Sequence, residues 1–158
     1  MSNWPRLPLF TQAKESYSAM KNFADTVTRT ALGAGVDRAV VHLVKIRVSQ
    51  VNACAFCVEM HCREARADGV SEQRIFQLDA WRHSPGFFTE AEQAALELAE
   101  AVTVLQPGAV SDSSYETACK HFPEELVAHL IFVATVMNSW NRLAISARLL
   151  PRPPETTS

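Results

Sequence analysis

The sequence predicts an all-α protein with a single domain of about six to eight helices. Apolar residues recur at three- and four-residue spacings along most of the chain, and no stretch alternates convincingly between apolar and polar residues. Only 5 glycines occur among the 158 residues, which is few for an all-β protein. A chain of this length is expected to form one domain and to bury roughly 70% of the surface of its unfolded state.

The individual helices are predicted from this spacing and from residues that start or stop a helix. Suitable N-cap residues are Asp37, Ser71, Thr89 and Ser111. The predicted helices cover 12–31, 38–50, 54–68, 71–81, 89–104 and 111–121, with a final pair within 124–149. The helix over 38–50 is apolar on most sides and is expected at the centre, with a polar stripe of Arg38, His42, Lys45 and Ser49. We assign 1–150 to this helical domain and 151–158 to a disordered tail.

The composition excludes several classes of protein. With 47% apolar residues, 20% charged residues and a net charge of -2, the chain is not a disordered polyelectrolyte. It lacks the basic excess typical of nucleic-acid binding. No apolar run approaches the ~20 residues that cross a bilayer, and the N-terminus does not resemble a secretory signal. We therefore expect a cytoplasmic protein without a nucleic-acid or membrane partner.

The four cysteines are distributed unevenly. Cys54, Cys57 and Cys62 lie close together, and Cys119 stands apart. A disulfide framework would spread its cysteines to connect distant segments, so this clustering favours redox or metal chemistry.

The segment from Cys54 to His61 has the spacing of a redox site on a helix. Cys54, Cys57 and His61 share one face, and Cys57 and His61 are one turn apart. A thiolate is the reactive form of cysteine, an imidazole can accept the thiol proton, and a second thiol can capture an oxidised sulfur as a disulfide. Activation would require a thiol pKa lowered by about two units, or roughly 2.7 kcal/mol, which a helix N-terminus and a nearby cation can supply.

Other interpretations of the same segment remain open. The face continues through Val58, Cys62 and Ala65, with charged residues opposite (Glu59, Arg63, Glu64 and Arg66), so it also fits an ordinary core face. Cys54, Cys57, His61 and Cys62 are four possible zinc ligands, although one helix cannot readily wrap a tetrahedral ion. Val58 follows the second cysteine and excludes c-type haem attachment, and a thioredoxin-like β-α-β context is absent.

The run from Leu43 to His61, LVKIRVSQVNACAFCVEMH, strongly resembles the alkylhydroperoxidase D-like proteins of the carboxymuconolactone decarboxylase superfamily. The segment Asn138-Ser-Trp-Asn-Arg142 is similar to the family's C-terminal helix, and the resemblance covers roughly residues 15–148. It implies an all-helical homo-oligomer, often a trimer or hexamer. It also implies a hydroperoxide reductase that takes electrons from a dithiol donor, either a lipoyl-type protein or a small thiol. We expect no bound cofactor or metal. By resemblance, Cys57 attacks the peroxide, Cys54 resolves it and His61 relays protons.

The sequence departs from the family pattern at two positions. His42 stands where the family relay usually has glutamate, twelve residues before the first cysteine; an imidazole can pass a proton but supplies no negative charge. A polar surface histidine is the alternative for His42. Ala53 stands where glycine is common. A further conflict concerns the nucleophile, because proximity to the helix N-terminus favours Cys54, whereas the resemblance and the His61 spacing favour Cys57.

The remaining candidates carry weaker expectations. Cys62 and Cys119 are expected in the core, and His83, His121 and His129 in structural or solvent-facing positions. Asn138, Trp140 and Asn141 are candidates for the pocket, although packing or an oligomer interface is favoured for Trp140. The leading hypothesis is a thiol-dependent hydroperoxide reductase. The alternatives are a redox sensor with little turnover, a decarboxylase of the superfamily's namesake type, a structural zinc domain and a helical interaction module.

Overall fold

The computed structural model describes residues 6–106, 108 and 110–153. These residues form eight α-helices, and no strand occurs among them, so the predicted all-α class is confirmed. The helices are α1 (Leu9–Gln12), α2 (Lys14–Ala34), α3 (Arg38–Val51), α4 (Ala55–Ala67), α5 (Glu72–Gln77), α6 (Glu90–Thr103), α7 (Asp112–His121) and α8 (Glu124–Ser146). A 3₁₀-helix over Leu78–His83 continues directly from α5.

The predicted N-caps are confirmed by hydrogen bonds at the helix starts. The side chain of Asp37 accepts the N–H of Ala39 at the start of α3. Thr89 and Glu92 form the reciprocal capping box of α6. The side chains of Ser71 and Ser111 accept the N–H groups of Arg74 and Ser114 at the starts of α5 and α7. These starts are encoded locally, by a short polar side chain that satisfies an N–H group without an intrahelical partner.

The predicted final pair of helices is wrong. The structure has one continuous helix, α8, of 23 residues. Its interior contains neither glycine nor proline, so nothing in the backbone interrupts the hydrogen-bond ladder. Two smaller differences concern the short helix α1, which was not predicted, and the segment 78–83, which tightens into a 3₁₀-helix.

Helix α3 lies at the centre, as predicted, and packs against α4, α6 and α8. One face joins a core cluster shared with α2, α6 and α8, which includes Val44, Leu130 and both cysteines of the C-x-x-C motif. The opposite face, with Leu43 and Ile46, joins a second cluster with α5, α6 and the 3₁₀-helix. Because α3 is packed on both sides, its C-terminal turn is held firmly where α4 begins.

The ends of the chain bear on two expectations. Of the predicted disordered tail, 151–153 are described without helix or strand, and 154–158 lie outside the described residues. The absence of a secretory signal was predicted from the N-terminal residues, and 1–5 also lie outside the described residues. None of the helices in the described part of the chain combines the length and apolarity that crossing a bilayer requires.

Candidate redox site

The turn between α3 and α4 places the first cysteine at the start of a helix. The N–H of Ala53 donates to the carbonyl of Gln50, and the N–H of Cys54 donates to the carbonyl of Ser49. Ala53 adopts a left-handed conformation with φ of 52°, which explains why glycine suits this position. Cys54 is the N-cap residue of α4, and Cys57 lies in the first turn.

A buried network of amides ties this turn to α8. The Nδ2 of Asn52 donates to Asn138 Oδ1 at 2.8 Å and to Asn141 Oδ1 at 2.9 Å. Asn141 Nδ2 in turn donates to Ser49 Oγ at 3.1 Å. The Ser-Gln-x-Asn turn is therefore fixed by side chains of a helix that lies far away in the sequence. Asn138 and Asn141 hold the turn in place and are not among the residues that line the cavity described below.

The two thiols of the C-x-x-C motif touch each other. Their Sγ atoms are 2.6 Å apart, and both cysteines are free. Each side chain is only 2% exposed. A disulfide has its sulfur atoms about 2.05 Å apart, so forming this bond requires little movement of either residue.

The environment of Cys57 favours the protonated thiol over the thiolate. Burial and the adjacent Cys54 thiol together raise the pKa of the Cys57 thiol to about 12, although a hydrogen bond from Asn141 acts in the opposite direction. The expectation of a thiol pKa lowered by the helix N-terminus is therefore wrong for this conformation. The favourable field of one helix end does not offset the cost of placing a negative charge among apolar side chains and a second thiol.

His61 is paired with a carboxylate that the sequence analysis placed on the opposite side of the helix. Its Nδ1 lies 2.9 Å from Glu64 Oε2. This hydrogen bond holds the pKa of the Glu64 carboxyl below its usual range, so Glu64 is an anion that can only accept. Nδ1 therefore carries the proton, and in the neutral ring Nε2 is the acceptor. Nε2 is buried and has no hydrogen-bond partner in the structure.

His42 belongs to a different pair. Its Nε2 lies 2.8 Å from Asp68 Oδ2, and Asp68 also approaches Arg38 at 3.5 Å. His42 is 7% exposed, so the alternative of a surface histidine is wrong. No hydrogen bond joins the described rings of His42 and His61. A relay through His42 remains a prediction, whereas the carboxylate partner of His61 is Glu64.

A cavity of about 580 Å³ opens beside Cys57 and His61. Its wall is mainly apolar and includes Phe10, Tyr17, Phe56, Met60, Met137 and Trp140. Trp140, for which packing or an oligomer interface was expected, stands edge-on to Tyr17 with ring centroids 5.9 Å apart. The polar wall residues include Lys45 and Glu64. The Cys57 thiol thus borders a space large enough for an organic molecule.

The other candidates are not brought to this cavity. Cys62 is half-buried against the second core cluster, and Cys119 packs at the edge of the first. His83 and His121 are exposed, and His129 is half-buried. Within 6–106, 108 and 110–153, no three His, Cys, Asp or Glu side chains are grouped to hold a metal ion.

Glu64 and Lys45 are the site residues whose role the sequence analysis missed. A residue three positions after a histidine on a helix lies beside it, so the i, i+3 spacing was the available signal for Glu64. Lys45 was recognised only as part of a polar stripe.

Residues 14–101 match the model of the carboxymuconolactone decarboxylase family. The chain belongs to this family. The match runs from the start of α2 into the last turn of α6, and therefore includes the turn, both thiols and the His61–Glu64 pair. The resemblance inferred from the C-x-x-C-x-x-x-H motif is confirmed.

Two bacterial relatives of this carboxymuconolactone decarboxylase family protein are uncharacterized. YdfG of Bacillus subtilis (strain 168) is 42% identical over 113 residues, which cover 72% of this chain and 76% of YdfG. YnjA of Escherichia coli (strain K12) is 31% identical over 127 residues, which cover 78% of this chain and 69% of YnjA.

Two solved structures share the fold. A protein of unknown function from Agrobacterium tumefaciens, for which a role as the antioxidant defence protein AhpD has been suggested, superposes with a TM-score of 0.85 at 32% identity. The match covers 96% of this chain and 100% of that one. The debrominase Bmp8 superposes with a TM-score of 0.78 at 15% identity, over 90% of this chain and 74% of that one, which shows the fold alone.

Proposed function

We propose that this protein is a thiol-dependent reductase of organic hydroperoxides. The observation that carries the proposal is the arrangement at one cavity wall, where Cys57 is in contact with Cys54 and lies on the same helix face as a histidine–carboxylate pair. The antioxidant role suggested for the Agrobacterium tumefaciens neighbour supports the same chemistry.

The proposed reaction begins at Cys57. Its sulfur attacks one peroxide oxygen, the O–O bond breaks, and the sulfur becomes a sulfenic acid. The thiol proton passes through His61 to the leaving alkoxide, which departs as an alcohol. Cys54 then attacks the sulfenic acid, a disulfide forms and water is released. A dithiol donor, either a lipoyl group or a small thiol, reduces the disulfide by exchange and leaves as its own disulfide.

Proton transfer has to accompany the attack. With a pKa of about 12, a free Cys57 thiolate at neutral pH would cost several kcal/mol, at about 1.4 kcal/mol per pKa unit. His61 provides the base, since its unpartnered Nε2 is the acceptor and Glu64 stabilises the imidazolium that forms. In the His61–Glu64 pair, Glu64 supplies the negative charge that the imidazole of His42 lacks. The pair therefore favours a reductase with repeated turnover over a redox sensor that is oxidised once.

The experiment is steady-state reduction of cumene hydroperoxide with excess dihydrolipoamide. We expect sustained turnover by the wild type and its loss in Cys57→Ser. Cys62→Ser is the matched control, because Cys62 lies on the same helix but packs in the second core cluster, and it should keep turnover. Intact-mass analysis after peroxide treatment should show a Cys54–Cys57 disulfide in the wild type.

Each alternative predicts a different result. A sensor would consume one equivalent of peroxide and then stop. A decarboxylase would act on a lactone in the absence of both thiols. If the wild type and Cys57→Ser are equally inert towards peroxide, the reductase proposal is wrong.

A further inference from the structure

We propose that the substrate cavity is built for an apolar molecule that carries a carboxylate, with Lys45 as the group that binds this carboxylate. The inference names the substrate class of the reductase and rests on the proposed function only for the peroxide group. It depends on residues of the cavity wall that the proposed reaction itself does not use.

The apolar part of the wall is suited to a flat ligand. The rings of Phe10 and Tyr17 lie 5.1 Å apart, and Tyr17 continues the series to Trp140. Phe56 and Met60 extend this surface from α4. Aromatic side chains favour offset and edge contacts with a planar apolar group, so the wall favours an aromatic or unsaturated body.

The cationic part of the wall is the ammonium group of Lys45. This half-buried side chain donates from Nζ to Thr28 Oγ1 at 3.1 Å, which uses one of its three donors. Among the described residues, no carboxylate lies within salt-bridge distance of it. Lys21, the other lysine of the cavity, is exposed and paired with Asp25 at 2.7 Å.

The burial of Lys45 favours the binding of an anion at its ammonium group. It lowers the pKa of the Lys45 amine, because the charged form has lost water without gaining a close partner. Glu64 from α4 and Asp25 from α2 oppose this effect at longer range, and Thr28 is its direct contact. A ligand carboxylate at Nζ would replace the lost hydration with a charge-assisted hydrogen bond.

The first test compares two hydroperoxides that differ by one charge. The probes are 4-(2-hydroperoxypropan-2-yl)benzoic acid, which is ionised at neutral pH, and its methyl ester. We expect the wild type to favour the acid over the ester about tenfold in kcat/KM. Lys45→Met should reduce this ratio to about one, and Lys45→Arg should retain most of it. Lys14→Met, which removes an exposed lysine of α2 that does not line the cavity, is the control and should leave the ratio unchanged.

The second test separates binding from chemistry. Isothermal titration calorimetry with the unreactive alcohol, 4-(2-hydroxypropan-2-yl)benzoate, should give binding that weakens about tenfold in Lys45→Met and that is weaker for its methyl ester. Binding should decline as pH rises through the lowered pKa of Lys45, below the pH at which an ordinary lysine loses its proton.

The outcomes distinguish the two proposals. Lys45-dependent binding without any peroxide turnover would overturn the reductase and leave the carboxylate site standing. Turnover with equal kcat/KM for acid and ester, or alcohol binding that is absent or unaffected by Lys45→Met, would overturn the carboxylate site and leave the reductase standing.

Discussion

The Nδ1 atom of His61 lies 2.9 Å from Oε2 of Glu64, three residues further along α4. Both residues belong to the same helix, so their relative position is fixed by the helix itself and does not depend on another element. In the proposed reaction, the pair would act as a base of defined tautomer beside Cys57, without help from the helix that carries His42.

The first prediction concerns this pair. Glu64→Gln removes the negative charge behind His61 and should reduce kcat/KM for hydroperoxide roughly tenfold to hundredfold. The pKa of the Glu64 carboxyl is below its usual range. As the pH falls, the wild type should therefore keep the rate enhancement from the Glu64 anion until the pH drops to this lowered pKa and the carboxyl is protonated. The pH profile of Glu64→Gln should lack the decrease in kcat/KM that protonation of Glu64 causes at low pH. Glu59→Gln, which removes a glutamate paired with Arg63 on the same helix, is the control and should have little effect. A Glu64→Gln profile identical to that of the wild type would contradict the role of the pair.

The second prediction concerns the reactivity of Cys57 towards an alkylating agent. With a pKa of about 12, the thiolate fraction should rise about tenfold for each pH unit between pH 7 and 10, without a plateau. Peptide-resolved mass spectrometry after brief exposure to iodoacetamide measures this rate, with a free cysteine peptide, which levels off above its pKa of ~8.5, as reference. A plateau for Cys57 below pH 9 would show a thiolate that is already formed at rest.

The third prediction concerns the strained residue before the C-x-x-C motif. Ala53 has φ of 52°, a conformation that costs a non-glycine residue about 1–2 kcal/mol. Ala53→Gly should therefore stabilise the protein by about 1 kcal/mol, once the greater backbone entropy of unfolded glycine is subtracted. Urea unfolding followed by circular dichroism measures the change. Ala55→Gly, at the first position of α4, should have the opposite sign, and stabilisation by both substitutions would rule out a specific effect of the left-handed turn.

The fourth prediction concerns the amide network. Asn52→Ala removes the side-chain amide that donates to both Asn138 Oδ1 and Asn141 Oδ1. Because two buried carbonyl oxygens lose this donor, the substitution should destabilise the protein by roughly 1–3 kcal/mol. Because the network positions the turn that carries Cys54, peroxide turnover should fall as well. Asn22→Ala, on the exposed side of α2, should change stability by less than about 0.5 kcal/mol. Equal stability of the two variants would show that the network is not needed to hold the turn.

Features encoded over a few residues were predicted well from the sequence. The caps at Asp37 and Thr89, the apolar faces of the helices and the shared face of Cys54, Cys57 and His61 all follow from side-chain spacing within one or two turns. The central place of α3 followed from the apolar residues on most of its sides.

Features that depend on distant residues could not be predicted. The contact between Asn52 and Asn138 joins residues 86 positions apart, and the pairing of His42 with Asp68 joins residues 26 apart. The high pKa of Cys57 was missed for the same reason, because burial by other helices overrides the field of its own helix. Local spacing shows which groups share a face, whereas the rest of the fold determines their partners and hydration.

In the proposed reaction, the depth of the thiols would restrict which reductant can deliver electrons to them. Cys54 and Cys57 are each 2% exposed, so the flat surface of a folded partner cannot make contact with either sulfur in this conformation. A slender group can enter where a broad one is blocked. Steric access therefore favours a reductant whose thiols sit at the tip of a long flexible arm, or one small enough to diffuse in alone, over one whose thiols are set into a rigid protein face.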